Sequence, residues 1–138
     1  MKFYEVLDHT ADLRIQVYAD SLTGLYIHAA AAMYELIADI GCVKPATSVS
    51  VISQGQDRDD LLHNWLSELL YFFTAKGILL SKFDIKRLTE NRIVSNVRGE
   101  QIDSSRHSLK HDIKAITYHD MHISDNKGKF QTNIVFDV

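Results

Sequence analysis

The residues richest in chemistry stand at the end of the chain. An apolar run, Phe130 to Phe136, leads into the Asp137 carboxylate and then the terminal carboxylate of Val138. Two hard oxygen donors therefore sit side by side where a strand should stop. Near the other end, Asp8-His9-Thr10-Ala11-Asp12 sets a further carboxylate, Asp12, just ahead of a second strand-like run. Oxygen donors gathered without cysteine suit a hard cation such as Ca²⁺ or Mg²⁺ better than Zn²⁺ or copper. An ordinary solvated chain end would show the same residues, and residue type alone does not separate the two readings.

Other chemistries have less behind them. His107 and His111 stand four apart and His119 and His122 three apart, but no HExxH or CxxC accompanies them, so a zinc site is a minor alternative. Cys42 has no histidine placed near it in sequence and reads as a small buried hydrophobe. There is no GxSxG, P-loop or GxGxxG. Asp57, Asp59 and Asp60 read as a helix start, where carboxylates complement the dipole. Lys114 lies in a strand-like segment with apolar neighbours on both sides. It reads either as a lysine guarding a sheet edge or as one presented to a partner's nucleotide or phosphate.

Strands and helices must position these groups. Phe3 to Leu7 reads as a short strand, and Leu13, Ile15, Val17 and Ala19 alternate with polar neighbours as a half-buried strand does. Ser21 caps a helix running to about Asp39, with Gly41 and Pro45 beyond it. Val49 to Ile52 is a strand. A second helix starts near Asp59 or Asp60 and ends at Lys76-Gly77. Leu61, Leu62, Trp65, Leu66, Leu69, Leu70, Phe72 and Phe73 make it apolar over much of its circumference, which marks it as the central core helix. The strands Phe83–Leu88, Arg92–Arg98, Ile113–Tyr118, Met121–Ser124 and Phe130–Phe136 follow, with a hairpin turn at Asp125-Asn126-Lys127-Gly128. The sum is an α+β domain over residues 1–138, two helices packed on a mostly antiparallel sheet. Side-chain parity puts Asp12, Arg14 and Asp137 on the faces away from the core, so pairing of the strands that carry them would let Asp12 and Asp137 meet.

Bulk properties exclude several classes. The 138 residues are 46% hydrophobic and 24% charged, an ordinary globular composition long enough for one core. No apolar run is long enough for a membrane helix, no secretory leader is seen, and the lone Cys42 fits a reducing compartment, so a cytoplasmic location is expected. The net charge of −3 comes with scattered basic residues, the closest grouping being Arg106, Lys110 and Lys114. Autonomous nucleic-acid binding is therefore not expected.

Taken in order, several segments resemble the archease family. They are Asp8 to Asp12 with the strand after it, Ala19-Asp20-Ser21-Leu22, the helix Leu61 to Tyr71, Arg106-His107, Ile113 to His119, and the ending Ile134-Val135-Phe136-Asp137-Val138. The resemblance implies a non-enzymatic activator of an RtcB-type RNA ligase, acting in tRNA splicing and RNA repair. Such a protein helps the ligase form its covalent guanylate and turn over, and meets RNA only through the ligase. A general chaperone-like or metal-binding module is the alternative, and a hydrolase using the carboxylates comes third. The resemblance implies a metal site, with calcium, at Asp12, Asp137 and the terminal Val138, and a functional lysine at Lys114. Two positions depart from the family's pattern: Leu13-Arg14 replaces Ile-Gly, and Asp112 stands where Glu is commoner. Arg14 places a cation two residues from Asp12, where it could compete with a metal.

Overall fold

The computed structural model describes residues 3–7 and 12–138, so Asp8 and His9 lie outside the described residues. Two antiparallel sheets form. The first contains β1 (Tyr4–Leu7), β2 (Leu13–Ala19), β6 (Ala115–Ile116), β7 (Ser124–Asn126) and β8 (Lys129–Asp137). Its strands run in the order β1-β2-β8-β6, with β7 also paired to β8. The second sheet is β3 (Thr47–Gln54), β5 (Arg92–Gln101) and β4 (Ile78–Leu88), in that spatial order. The helices are α1 (Leu22–Ile37) and α2 (Arg58–Lys76). The α+β architecture is as expected.

Local chemistry sets the helix ends. The Ser21 hydroxyl accepts from Gly24 N at 2.9 Å, and Asp57 accepts from Asp60 N at 2.9 Å. Each satisfies a donor that the first helical turn leaves without an intrahelical partner. Gly77 ends α2 at φ 64°, a left-handed conformation that a β-carbon disfavours.

The central helix is α1 rather than α2. It packs on β2 of the first sheet and β4 of the second, so Leu25, Tyr26, Ala29, Ala30, Ala32, Met33, Tyr34, Leu36 and Ile37 are all buried. Helix α2 buries Leu61, Leu62, Trp65, Leu66, Leu69 and Leu70 and leaves Tyr71 exposed. Its apolar positions give a broad face, whereas the small alanines of α1 let that helix approach neighbours on several sides. Three hydrogen bonds fasten the pair. Trp65 Nε1 donates to Tyr26 O at 3.0 Å, Tyr26 Oη to Arg58 O at 2.9 Å, and Tyr34 Oη to Leu69 O. Burial pushes the Tyr26 and Tyr34 hydroxyls upward in pKa, so both stay protonated donors.

Several strands are longer than their apolar runs. β3 extends past Val49–Ile52 because backbone pairing continues through Thr47, Ser48, Ser53 and Gln54, and β4 reaches back past Phe83 to Ile78, whose following leucines, Leu79 and Leu80, are buried. The expected strand Ile113–Tyr118 shrinks to Ala115–Ile116. The expected strand Met121–Ser124 moves to Ser124–Asn126, leaving Tyr118 to Ile123 as a loop.

Candidate metal and activation site

Strand register brings the flagged residues to one corner. β2 and β8 pair with Leu13 opposite Phe136, and one residue further on stand Asp12 and Asp137. On the other side of β8, Ala115 pairs with Asp137, and Lys114 N donates to Asp137 O at 2.8 Å. Leu13, Phe136 and Ile116 are buried, so by strand alternation Asp12, Asp137 and Ala115 face away from the core. The backbones of Asp12, Asp137, Val138 and Lys114 thus lie together at the end of three adjacent strands. Lys114 stands just before β6, the edge strand of its sheet, with an exposed side chain that forms no ion pair among the described residues.

Arg14 occupies part of this corner. Its Nε donates to Asp12 Oδ1 at 3.2 Å and its Nη1 to Asp120 Oδ2 at 3.4 Å. His119 Nε2 lies 3.3 Å from the same Asp120 oxygen. Asp120 has φ 57°, in the left-handed region that aspartate tolerates better than most residues. Arg14 thereby fastens the loop after β6 to the strand that carries Asp12. Sequence reasoning saw Arg14 next to Asp12 but missed Asp120, since the link spans 106 positions.

Among the described residues no three His, Cys, Asp or Glu side chains gather closely enough to hold a metal. Asp12 and Asp137 bring only oxygen donors to this corner, a chemistry that suits a hard cation better than a soft one. A cation at Asp12 would have to displace or share the Arg14 contact.

The other candidates resolve into structure. His107 is buried. Asp103 N donates to its Nδ1 at 2.9 Å, so the ring proton sits on Nε2, which donates to Glu100 Oε2 at 3.1 Å. His111 is exposed and does not join it. Arg106 is committed to Glu100 at 2.6 Å and 3.2 Å and to Asp103 at 3.3 Å, while Lys110 lies 3.7 Å from Glu35. The grouping of Arg106, Lys110 and Lys114 is therefore not a free phosphate site. The Arg106 guanidinium and the Lys44 N–H hold Glu100 down at a pKa of about 2. Cys42 is exposed rather than buried, and the Asp39 carboxylate beside its thiol pushes the pKa upward, which disfavours the nucleophilic thiolate.

Asp57, Asp59 and Asp60 open α2 as expected, and two of them also hold the β6–β7 loop. Asp59 accepts from His122 Nδ1 at 3.0 Å and from Ile123 N at 2.8 Å, and Asp60 from Tyr118 Oη at 3.2 Å. Tyr118 stacks on His63 with ring centroids 3.7 Å apart, and His63 Nε2 donates to Ile116 O at 2.9 Å.

Comparison with known proteins agrees with this fold. The profile of the archease protein family matches residues 4–138. The archease of Methanopyrus kandleri is 34% identical over 98% of this chain and 99% of its own length. That of Pyrococcus abyssi is 34% identical over the whole of both chains. The solution structure of Methanobacterium thermoautotrophicum protein 1598 superposes with a TM-score of 0.84 at 31% identity, covering all of both chains. The crystal structure of a Thermotoga maritima archease, described as a possible chaperone, shares the fold with a TM-score of 0.68 at 18% identity, covering 97% of this chain and 96% of that one. With its profile matched over residues 4–138 and relatives alike from end to end, the chain belongs to the archease family.

Proposed function

We propose that this protein is a non-enzymatic activator of an RtcB-type RNA ligase, working in the cytoplasm in tRNA splicing and RNA repair. It promotes guanylylation and repeated turnover of the ligase, and it meets the ligase's RNA through that enzyme. The observation that carries the reading is the convergence of Asp12, Asp137, Val138 and Lys114 on one corner by strand register. The first three would hold Ca²⁺ or another hard divalent cation. When bound, that ion supplies concentrated positive charge at the corner. Lys114, on the sheet edge, turns a further positive charge toward a docked partner, where it can stabilise a phosphate or the charge that develops during guanylylation. Arg14 keeps Asp12 and the Asp120 loop in place. The nucleophile–base pair or phosphate cradle that autonomous chemistry needs is not offered by this corner.

Multiple-turnover RNA ligation by a cognate ligase, with and without this protein, is the test. The protein alone should join no RNA, and its addition should raise turnover. Asp12→Ala, Asp137→Ala and a C-terminal tag, which converts the Val138 carboxylate to an amide, should each weaken Ca²⁺ binding in calorimetry and reduce activation. An N-terminal tag should do less. Unchanged ligase turnover over a range of concentrations would defeat the assignment.

A further inference from the structure

The outward face of the second sheet carries a charge pattern of its own. In β5, Ile93, Ser95 and Val97 are buried, so Arg92, Val94, Asn96 and Arg98 project the other way. Bulges in β4 set the register so that Lys82 stands directly opposite Arg98, Asp84 opposite Asn96, and Arg87 opposite Val94. From the other side β3 places Ser48 opposite Arg98, Ser50 opposite Asn96, and Gln54 opposite Arg92. Lys86, in the second bulge, pairs with Asp84 at 2.6 Å. Lys82, Lys86, Arg87, Arg92 and Arg98 thus share this face with two acids, Asp84 and, at the far end of β5, Glu100, which is already committed to Arg106 and His107, in a chain of net charge −3. Among the described residues Lys82, Arg87, Arg92 and Arg98 form no ion pair.

Like charges directly opposite on neighbouring strands are destabilising, so Lys82 beside Arg98 works against the free protein and suits an anion laid across the strands. A shallow depression of about 690 Å³ lies here, floored by Ser48, Ser50 and Asn96. Ser48 Oγ donates to Asn96 Oδ1 at 2.8 Å, which leaves the Asn96 amide hydrogens as donors.

We propose that this face binds the phosphate backbone of single-stranded RNA, weakly and without sequence preference. Arginine, lysine, hydroxyl and amide groups are the usual phosphate contacts. A protein partner would call for aromatic anchors at the centre, and no aromatic side chain projects from this face. The same lack rules out base stacking as the mode of binding. The inference goes beyond an indirect encounter with RNA and does not depend on the metal corner. Beside a ligase that already holds the RNA, even a weak contact would be strengthened by effective concentration.

Fluorescence polarisation of a labelled single-stranded RNA with the full-length protein, titrated across salt concentrations, tests it. Four phosphate contacts give a slope of log K against log salt of about −3. Lys82→Glu with Arg98→Glu should weaken binding at low salt by about tenfold or more and flatten the slope by about 1.4. Lys110→Glu with Lys127→Glu makes the same change in net charge elsewhere and should alter affinity by less than about twofold. Lys82→Gln with Arg98→Gln should also weaken binding while melting no lower than the parent, which guards against a folding defect. No binding by the parent at about 50 mM salt would overturn the proposal. So would equal weakening by the control pair, or tighter binding of a polyglutamate peptide than of RNA, which would make an acidic protein the occupant.

Discussion

Arg14 is the residue whose role differs most between sequence and structure. As a neighbour of Asp12 it reads as a competitor for a metal, and the structure gives it a second partner in Asp120. The ion pair with Asp12 is about a third exposed on both sides, so its worth is at most about 1 kcal/mol. Arg14→Ala should therefore raise Ca²⁺ affinity in calorimetry by no more than about fivefold, while hydrogen exchange in residues 117–122 speeds up. Equal affinity in parent and variant would show that Arg14 does not compete. Lys114→Ala should shift stability by no more than about 0.5 kcal/mol, because the side chain lies outside the core. Ligase turnover should nonetheless fall. If stability and turnover drop together, Lys114 is part of the framework and not a partner-facing group.

Among the elements, the β4–β5 hairpin and the segment after it are the most constrained. At Gly99 the strands come so close that an added β-carbon would sit 1.9 Å from the Leu79 carbonyl oxygen. Backbone cannot yield as a side-chain tip can, so Gly99→Ala should cost about 1–3 kcal/mol or more in urea unfolding, with the slope unchanged. Residues 102–114 have little regular structure and are latched by Glu100 through Arg106 and His107. Because the folded pKa of Glu100, about 2, lies below its ordinary 4.5, its contribution is full above 4.5 and is lost as the pH falls toward 2. Amide exchange in this segment should accelerate over that window before the core strands respond. Glu100→Gln should reduce the pH dependence, leaving the part set by Asp103, whose carboxyl is also held below its ordinary pKa by Ser105 and Arg106.

At the scale of the whole molecule, α1 joins the two sheets into one core by packing on β2 and β4 at once. Neither sheet can lose its cover without the other, so unfolding should be a single transition by probes in either sheet. Leu66→Ala, at a fully buried position of α2, should cost about 2–5 kcal/mol and lower protection in β2 and β5 together. Loss of one sheet ahead of the other would show that α1 does not couple them.

Much of this was legible in the chain itself. The cap at Ser21, the stop at Gly77, and the alternation of Leu13 to Ala19 follow from local chemistry and appear where the residues place them, whereas α2 starts at Arg58, capped by Asp57, slightly ahead of the expected Asp59 or Asp60. The end-to-end likeness of its motifs identified the family, and residue type marked Asp12, Lys114, Asp137 and Val138 as candidates. Whether those four meet depended on strand register, a long-range property that no window of sequence contains. The same holds for Asp120, recruited by Arg14 across 106 positions, and for α1 displacing α2 from the centre, which rests on what lies on each side of a helix. Most telling are Lys82, Arg87, Arg92 and Arg98. They look scattered along the chain, but two bulges and an antiparallel register turn them onto one face. Local periodicity specifies which side chains a strand turns outward, and only the pairing of strands decides which of them become neighbours.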